Sequence, residues 1–376
     1  MTYTVTNLGK ICEFKYGDSL QEARRSGGNI PVFGSNGIVG WHDKAISSGP
    51  TIVIGRKGSI GEIHFSKVAC WPIDTTYYVE TTKVPSDLTW LYYMLSVMDL
   101  PRLNKSAAVP GLNRNDAYEQ HIPLPPLAEQ QRIADLLSRA DRLRRLRRFA
   151  LEMSEGYLQA VFLEMFGDPV TNPMGWEVVK LGKLIRGFEA GVNFPPVSEG
   201  VKVSRWRVLK ISAVTWGEFD PKESKPISAD TKFRDSIIAR KGDLLISRAN
   251  TTELVGAVCR IRTEPQGVLL PDKLWRLCFF DEGSKVIPNY ILFALRQPEL
   301  RRIIGVLATG SSGSMKNISM QKAATLPILV PPLEIQERFS RLVERYDRLR
   351  AQQREALRQA EHLFQGLLQA AFRGEI

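Results

Sequence analysis

Cysteine is scarce in this 376-residue chain, and the four residues present, Cys12, Cys70, Cys259 and Cys278, show no Cys-x-x-Cys spacing. Set among apolar neighbours, they read as reduced core thiols rather than a disulfide framework or a zinc ribbon. Histidine is equally sparse. His42, His64, His121 and His362 make no His-Glu-x-x-His and no metal-ligating cluster, so no metal site is assigned. No apolar run reaches eighteen residues, and Met1-Thr2-Tyr3-Thr4 opens no signal peptide, so a soluble, cytoplasmic protein without a membrane segment is expected. Catalytic motifs are missing as well: there is no Gly-x-Ser-x-Gly elbow, no phosphate loop ending in Gly-Lys-Ser/Thr, and no Asn/Asp-Pro-Pro-Tyr/Phe segment of the kind amino-methylating enzymes carry. Phe33-Gly34-Ser35-Asn36-Gly37 comes nearest to a nucleotide loop, but Ile38-Val39-Gly40-Trp41 after it reads as a strand, not a helix start. Asp168-Pro169 is followed by Val170 and is a helix stop. No catalytic residue is assigned, and the chain reads as a binder.

What the sequence does contain is a repeat. Pro125-Pro126-Leu127 followed by Gln130, Arg132, Leu136, Arg139, Asp141, Arg142, Leu143 and Arg144 returns as Pro331-Pro332-Leu333 followed by Gln336, Arg338, Leu342, Arg345, Asp347, Arg348, Leu349 and Arg350. The offset is constant (333 − 127 = 206), giving eleven identities in twenty ungapped positions, where shared composition would give about one or two. Weaker echoes follow in the same order in both halves. Asn7-Leu8-Gly9-Lys10-Ile11 matches Lys180-Leu181-Gly182-Lys183-Leu184. Gly49 to Arg56 matches Lys241 to Arg248. Leu112-Asn113 before His121-Ile122-Pro123 matches Lys316-Asn317 before Thr325-Leu326-Pro327. The chain is thus expected to run globule, helix, globule, helix: residues 1–124, 125–168, 169–330 (with a short linker at 169–176) and 331–376.

Each globule reads as mixed α and β. Thr51–Ile54, Thr75–Val79, Leu244–Ile246, Ala257–Ile261 and Leu274–Leu277 are strand-like, and Leu88–Met98 and Tyr290–Arg296 are helical. The first long helix carries an apolar stripe of Leu136, Ala140, Leu143, Leu146, Ala150, Met153, Tyr157 and Ala160, and ends at Phe166-Gly167-Asp168-Pro169. At about 1.5 Å per residue its roughly 40 residues would span about 60 Å. The second helix carries Leu342, Tyr346, Leu349, Ala356, Ala360, Leu363 and Leu367. Both stripes are narrow, as in a coiled-coil seam, and the expected fold class is α+β: two mixed globules joined by two long helices in an intramolecular antiparallel coiled coil with a pseudo-twofold repeat.

The net charge of +11 and a pI near 9.5 point to a polyanionic partner. The Arg run from Arg139 to Arg148 reads as a solvated or partner-facing helix surface. The loops that mix Gly, Ser, Asn and basic residues suit phosphates and base edges better. Candidates in the first globule are Asn36, Arg56, Lys57, Ser59, Asn113 and Arg114. In the second they are Arg205, Arg207, Arg248, Asn250, Thr251, Lys273, Ser311, Ser312, Lys316 and Asn317.

Residues 123–134 (Pro-Leu-Pro-Pro-Leu-Ala-Glu-Gln-Gln-Arg-Ile-Ala), 331–339 (Pro-Pro-Leu-Glu-Ile-Gln-Glu-Arg-Phe) and 56–61 (Arg-Lys-Gly-Ser-Ile-Gly) resemble the specificity subunit of Type I restriction–modification systems. The resemblance covers essentially the whole chain. It implies a non-catalytic subunit that reads a bipartite double-stranded DNA target, one half per globule, with the helices setting the spacer. It further implies docking of a methylation subunit, in two copies, and of a restriction subunit around the helix starts, where Leu127, Gln130, Arg132, Leu333, Gln336 and Arg338 are the candidates. No cofactor is expected on this chain; S-adenosylmethionine, ATP and Mg belong to the partner subunits. The unequal globules, roughly 1–124 against 175–329, argue against equal half-sites. Two other readings stay open at this point: the DNA-binding part of a single-chain restriction–methylation enzyme or an unrecognised nuclease, and a coiled-coil assembly protein without nucleic acid.

Overall fold

The computed structural model describes residues 3–103, 111–154, 156–310 and 315–375. They divide into two compact units, one formed by Met1–Glu152 with Gln352–Ile376 and one by Met153–Ala351.

In the first unit, Thr4–Asn7 (β1) leads into the one-turn helix Leu8–Ile11 (α1), and Lys15–Tyr16 (β2), Ile30–Gly34 (β3), Gly37–His42 (β4), Thr51–Gly55 (β5), Ile63–Ser66 (β6), Trp71–Pro72 (β7) and Thr76–Val79 (β8) follow. Helices Leu88–Val97 (α2) and Arg114–Tyr118 (α3) precede His121–Leu124 (β9). The strands form an antiparallel sheet in the order β2-β8-β5-β6, a second sheet β4-β3-β7 in which β3 and β7 run parallel, and the pair β1-β9. Every residue of β5 is buried. Such a strand needs apolar side chains on both faces, which is why Thr-Ile-Val-Ile-Gly reads as one continuous run. Ile52 and Ile54 point to a core with Trp90, Leu91 and Leu95 of α2, while Val53 joins Phe33 and Cys70 on the other side. Asp87 caps α2 by accepting from Trp90 N at 2.8 Å.

The second unit repeats this plan. Between its two long-helix segments lie Glu177–Lys180 (β10), Gly187–Ala190 (β11), Val203–Leu209 (β12), Ser212–Thr215 (α6 below), Ser224–Ser228 (β13), Leu244–Ser247 (β14), Ala249–Asn250 (β15), Val258–Arg260 (β16), Val268–Leu269 (β17), Leu274–Cys278 (β18), Lys316–Asn317 (β19) and Pro327–Val330 (β20). Its sheets run β11-β18-β14-β16, β13-β12-β17 with β12 and β17 parallel, and β10-β20. Strand for strand this is the order of the first unit. Among the described residues the second unit adds the short pair β15-β19 and the helix Ser212–Thr215, and has the longer helix Pro298–Leu307 where the first unit has the short turn Leu100–Leu103.

Strand registers fix the correspondence between copies. Thr4 faces Leu124 in β1-β9 and Glu177 faces Val330 in β10-β20, so Leu124 answers to Val330 at the same offset of 206 as the helices. This corrects the echo of Leu112-Asn113 and His121-Ile122-Pro123, which sequence similarity aligns two residues out of register. Leu112 answers to Ile318, both buried, and Asn113 to Ser319, each capping the short helix that follows it. The cap needs a side-chain acceptor but not one residue type, so identity matching slipped to the nearest Asn. Gly9 and Gly182 are held to glycine in the same way: a Cβ would lie 2.8 Å from Tyr118 Cβ in one copy and 2.8 Å from Ala324 Cβ in the other.

The first long helix is two helices. Leu127–Met153 (α4) and Tyr157–Phe166 (α5) are separated at Gly156, whose φ of 79° no continuing helix can use. Ser212–Thr215 is α6; Pro288–Arg296 (α7), Pro298–Leu307 (α8), Met320–Ala324 (α9) and the unbroken Leu333–Arg373 (α10) complete the chain. In the first unit α4 runs antiparallel to the end of α10. Arg144 lies over the Phe364 ring at 4.1 Å, and one turn further on Arg148 pairs with Glu361 at 2.8 Å. In the second unit α5 runs antiparallel to the start of α10, with Tyr157 stacked on Tyr346 and Phe162 against Phe339. The buried ridge differs from the expected stripe. It consists of Gln130, Ile133, Ala134, Leu137, Ala140 and Asp141 in α4 and of Gln336, Phe339, Val343, Ala360, Phe364, Leu368 and Ala371 in α10. Leu143, Leu146, Met153, Tyr157, Leu349 and Leu363 are exposed. Each helix packs on its globule through a ridge that includes amide and carboxylate side chains, which an apolar count passes over.

Candidate nucleic-acid interface

In the first unit, one carbonyl gathers the predicted loop residues. Thr75 O accepts from Ser35 Oγ at 2.7 Å, from Arg56 N at 2.9 Å and from Lys57 N at 3.1 Å, bringing the β3-β4 turn that carries Asn36 beside the end of β5. The Arg56-Lys57-Gly58-Ser59 loop closes tightly, with Gly61 N donating to Gly55 O at 2.8 Å; a Cβ on Gly55 would sit 2.0 Å from Ser59 O. Gly58 and Gly61 adopt φ of 74° and 75°, conformations that only glycine takes without strain. Leu112 N donates to Arg56 O at 2.9 Å, which draws in Asn113 and Arg114. Asn113 also caps α3 through Asn115 N. Asn36, Arg56, Lys57, Ser59, Asn113 and Arg114 therefore converge on one edge of the unit.

The second unit builds the equivalent edge with the same backbone bonds. Arg248 N donates to Lys273 O at 3.0 Å and Ile318 N donates to Arg248 O at 2.9 Å, so Arg248 stands where Arg56 stands. The β15-β19 pair sets Asn250 opposite Lys316 and Ala249 opposite Asn317, and Thr251 follows directly. Arg248, Asn250, Thr251, Lys273, Lys316 and Asn317 are thus brought together. Arg248 approaches Asp272 at 3.8 Å, and Arg56 Nη2 donates to Asp74 O at 2.7 Å, so each arginine is tethered to the aspartate of the same turn. Arg205 and Arg207 lie apart, on β12 of the other sheet. Arg207 uses its Nε and Nη2 on Ser224 at 2.9 Å each, and Arg205 rests over Trp206. Ser311 and Ser312 lie outside the described residues.

Sequence reasoning missed Tyr16. Its ring stands 5.0 Å from Tyr77 and carries two cations, Arg56 and Arg114, each 5.1 Å from the ring centre. The only signal was an aromatic between Lys15 and Gly17 in a strand too short to recognise. Tyr77 beneath it donates to Leu112 O at 3.0 Å, and burial pushes its phenol up to about 12, which keeps it a neutral donor.

At the helix starts, Leu127 and Leu333 are 40% and 41% exposed, whereas Gln130 and Gln336 are 1% and 0% exposed. Gln130 Oε1 accepts from Asp87 N and its Nε2 donates to Pro125 O, both at 2.9 Å. Gln336 Oε1 accepts from Ile287 N at 3.1 Å while its Nε2 donates to Lys285 O and Pro331 O at 3.0 and 2.8 Å. The two glutamines latch each long helix to the start of α2 or α7 and offer nothing to a partner. Arg132 forms a two-pronged pair with Glu129, and Arg338 is exposed.

Among the described residues no group of three or more His, Cys, Asp or Glu could hold a metal ion, and no helix is long and apolar enough to cross a membrane. Burial pushes the thiols of Cys12 and Cys259 up to about 12, so neither is a ready nucleophile.

Comparison with known proteins places this architecture. Residues 2–151 match the model of the Type I restriction modification DNA specificity domain. The Escherichia coli EcoKI specificity subunit is 27% identical over 275 residues, 68% of this chain and 58% of that protein, and the E. coli EcoEI specificity subunit is 26% identical over 210 residues, 54% of this chain and 35% of that protein. The matched segments thus span roughly a third to three fifths of these relatives. Among solved structures, the Type I restriction–modification S subunit of M. genitalium superposes with a TM-score of 0.67 over 99% of this chain and 96% of that one, at 16% identity. A chain from work on complex assembly and conformational transition of the type I R-M system superposes at 0.55 over 100% and 98%, at 20% identity. A duplicated α+β globule, duplicated helix starts and these matches agree: residues 2–151 match the Type I restriction modification DNA specificity domain, and the chain as a whole has the fold of the solved S subunit.

Proposed function

We propose that this protein is the non-catalytic specificity subunit of a Type I restriction–modification complex and reads a bipartite DNA target with one globule per half-site. The observation that carries the reading is the recurrence of one basic edge: Arg56 and Arg248 make the same backbone bonds at the end of equivalent strands, each beside Asn- and Lys-bearing loops. Phosphate contacts from these edges supply affinity, and a few side-chain contacts to base edges supply sequence. Globules at 1–124 and 169–330 do the reading, and the helices at 125–168 and 331–376 set the gap between the two words. Methylation and restriction subunits dock on the helices, with exposed Leu127, Arg132, Leu333 and Arg338 as first candidates. S-adenosylmethionine, ATP and Mg are supplied by those partners.

The test is an exchange. Replacing residues 175–329 by the second globule of another family member changes one half of the target and leaves the other intact, read by mapping methylated sites with the methylation subunit present. A change in both halves would refute the two-reader reading. The nuclease alternative predicts metal-dependent cleavage by the purified chain, and the assembly-protein alternative predicts no salt-dependent DNA binding.

A further inference from the structure

The two edges are built alike in backbone and differently in side chains. Register identifies the counterparts: Tyr16 faces Tyr77 in β2-β8 as Ala190 faces Trp275 in β11-β18, and Ile54 faces Tyr77 as Ile246 faces Trp275. Tyr16 therefore answers to Ala190, and Arg114, at the offset of 206, to Met320. The first edge has an aromatic ring holding two guanidinium groups, whereas the second edge has alanine and methionine at the positions equivalent to Tyr16 and Arg114.

A guanidinium lying over a ring uses its face, while the N–H donors that make a two-pronged hydrogen bond lie along its edge in the same plane. A cation–π contact consumes no N–H donor, so Tyr16 anchors the guanidinium of Arg114, 5.1 Å from its ring centre, and leaves the fork available. Arg56 is also anchored through Nη2 to Asp74 O. No hydrogen bond or ion pair among the described residues claims the guanidinium of Arg114, which lies over Tyr16. Tyr16 itself is 51% exposed, so the stack opens to solvent, not to the core. The base that a free, planar, two-pronged donor matches is guanine, through O6 and N7.

We propose that Arg114, anchored on the Tyr16 ring, reads a guanine in the half-site bound by the first globule, and that the second globule has no equivalent contact. Tyr16 is a positioning residue, acting through Arg114. The inference rests on the DNA-recognition reading above, and the experiment separates the two. The full chain, reconstituted with its methylation subunit, selects from a random-sequence duplex library, and both words are read from the enriched pool for wild type, Tyr16→Phe, Tyr16→Leu and Arg114→Met. The wild type should yield two words, the first containing a guanine. Arg114→Met, which installs the residue found at the equivalent position of the other unit, and Tyr16→Leu should each reduce preference for that guanine by roughly tenfold. Tyr16→Phe, which keeps the ring, should retain it, and the second word, unchanged throughout, reports that each variant is folded. Arg114→Met stands as the test if Tyr16→Leu fails to fold.

Three results overturn the proposal while leaving DNA recognition in place: a first word that loses no guanine in Arg114→Met, equal weakening on target and random duplexes with a shallower salt slope, as a phosphate contact gives, or Tyr16→Phe behaving as Tyr16→Leu. A wild-type complex that enriches no sequence overturns the underlying reading as well.

Discussion

Replacing the fully buried Gln336 by alanine strips three hydrogen bonds, and its cost can be worked from the geometry. Ile287 N loses its acceptor at the first turn of α7, and the carbonyls of Lys285 and Pro331 lose a donor. A buried polar group left without a partner costs about 1–3 kcal/mol. Neither carbonyl is stranded as completely as the N–H, because each has a second lone pair, so the expected total is about 3–5 kcal/mol. For a unit of about 200 residues, each kcal/mol lowers Tm by about 2–4 °C, giving a fall of about 6–20 °C in the transition of the second unit. Gln130→Ala breaks two bonds in the first unit and should cost about 2–4 kcal/mol. Calorimetry on the full chain, with hydrogen exchange at residues 287–291, measures both the size and the place of the effect. Arg338→Ala, exposed on the same helix, is the control and should change stability by less than about 0.5 kcal/mol. If Gln336→Ala melts with the wild type and the Ile287 amide keeps its protection, the latch has been misread.

Two further outcomes follow from the proposed function. Arg248→Ala should cost about 1–3 kcal/mol in specific binding if the guanidinium, held beside Asp272, reads a base; equal weakening on target and random duplexes with a reduced salt slope would make it a phosphate contact. Inserting four residues of Ala/Glu/Lys type near Arg148 and near Arg354 lengthens both helices by about 6 Å, and at about 3.4 Å per base pair the gap between the two words should grow by one or two base pairs, read by methylation-site mapping. A folded variant that keeps the original gap would show that the helices do not set it.

The sequence by itself determined the duplication, the α+β class and most of the regular elements near the edge. Thr51–Gly55, Leu244–Ser247 and Leu88–Val97 form where apolar runs and helical spacing put them, because burial on both faces of a strand or along one face of a helix leaves a periodic trace. The helix stop at Phe166-Gly167 was equally legible, since Gly167 takes a φ of 78° that glycine alone adopts freely. Tertiary structure decided what such traces do not encode. The helix ridge runs through Gln130, Asp141 and Gln336: the glutamines are held by partners far along the chain, Asp87 and Ile287, and Asp141 is buried against Arg144 and Arg145 of its own helix, a burial that only packing decides. The register between copies was set by strand pairing, not by residue identity. Tyr16 meets Arg56 and Arg114 from positions 40 and 98 residues away, a juxtaposition that exists only once β2 is paired with β8 and the Leu112 amide has closed onto Arg56. Local order leaves its mark in nearest-neighbour pattern, whereas a site assembled from distant loops depends on contacts that no local pattern records.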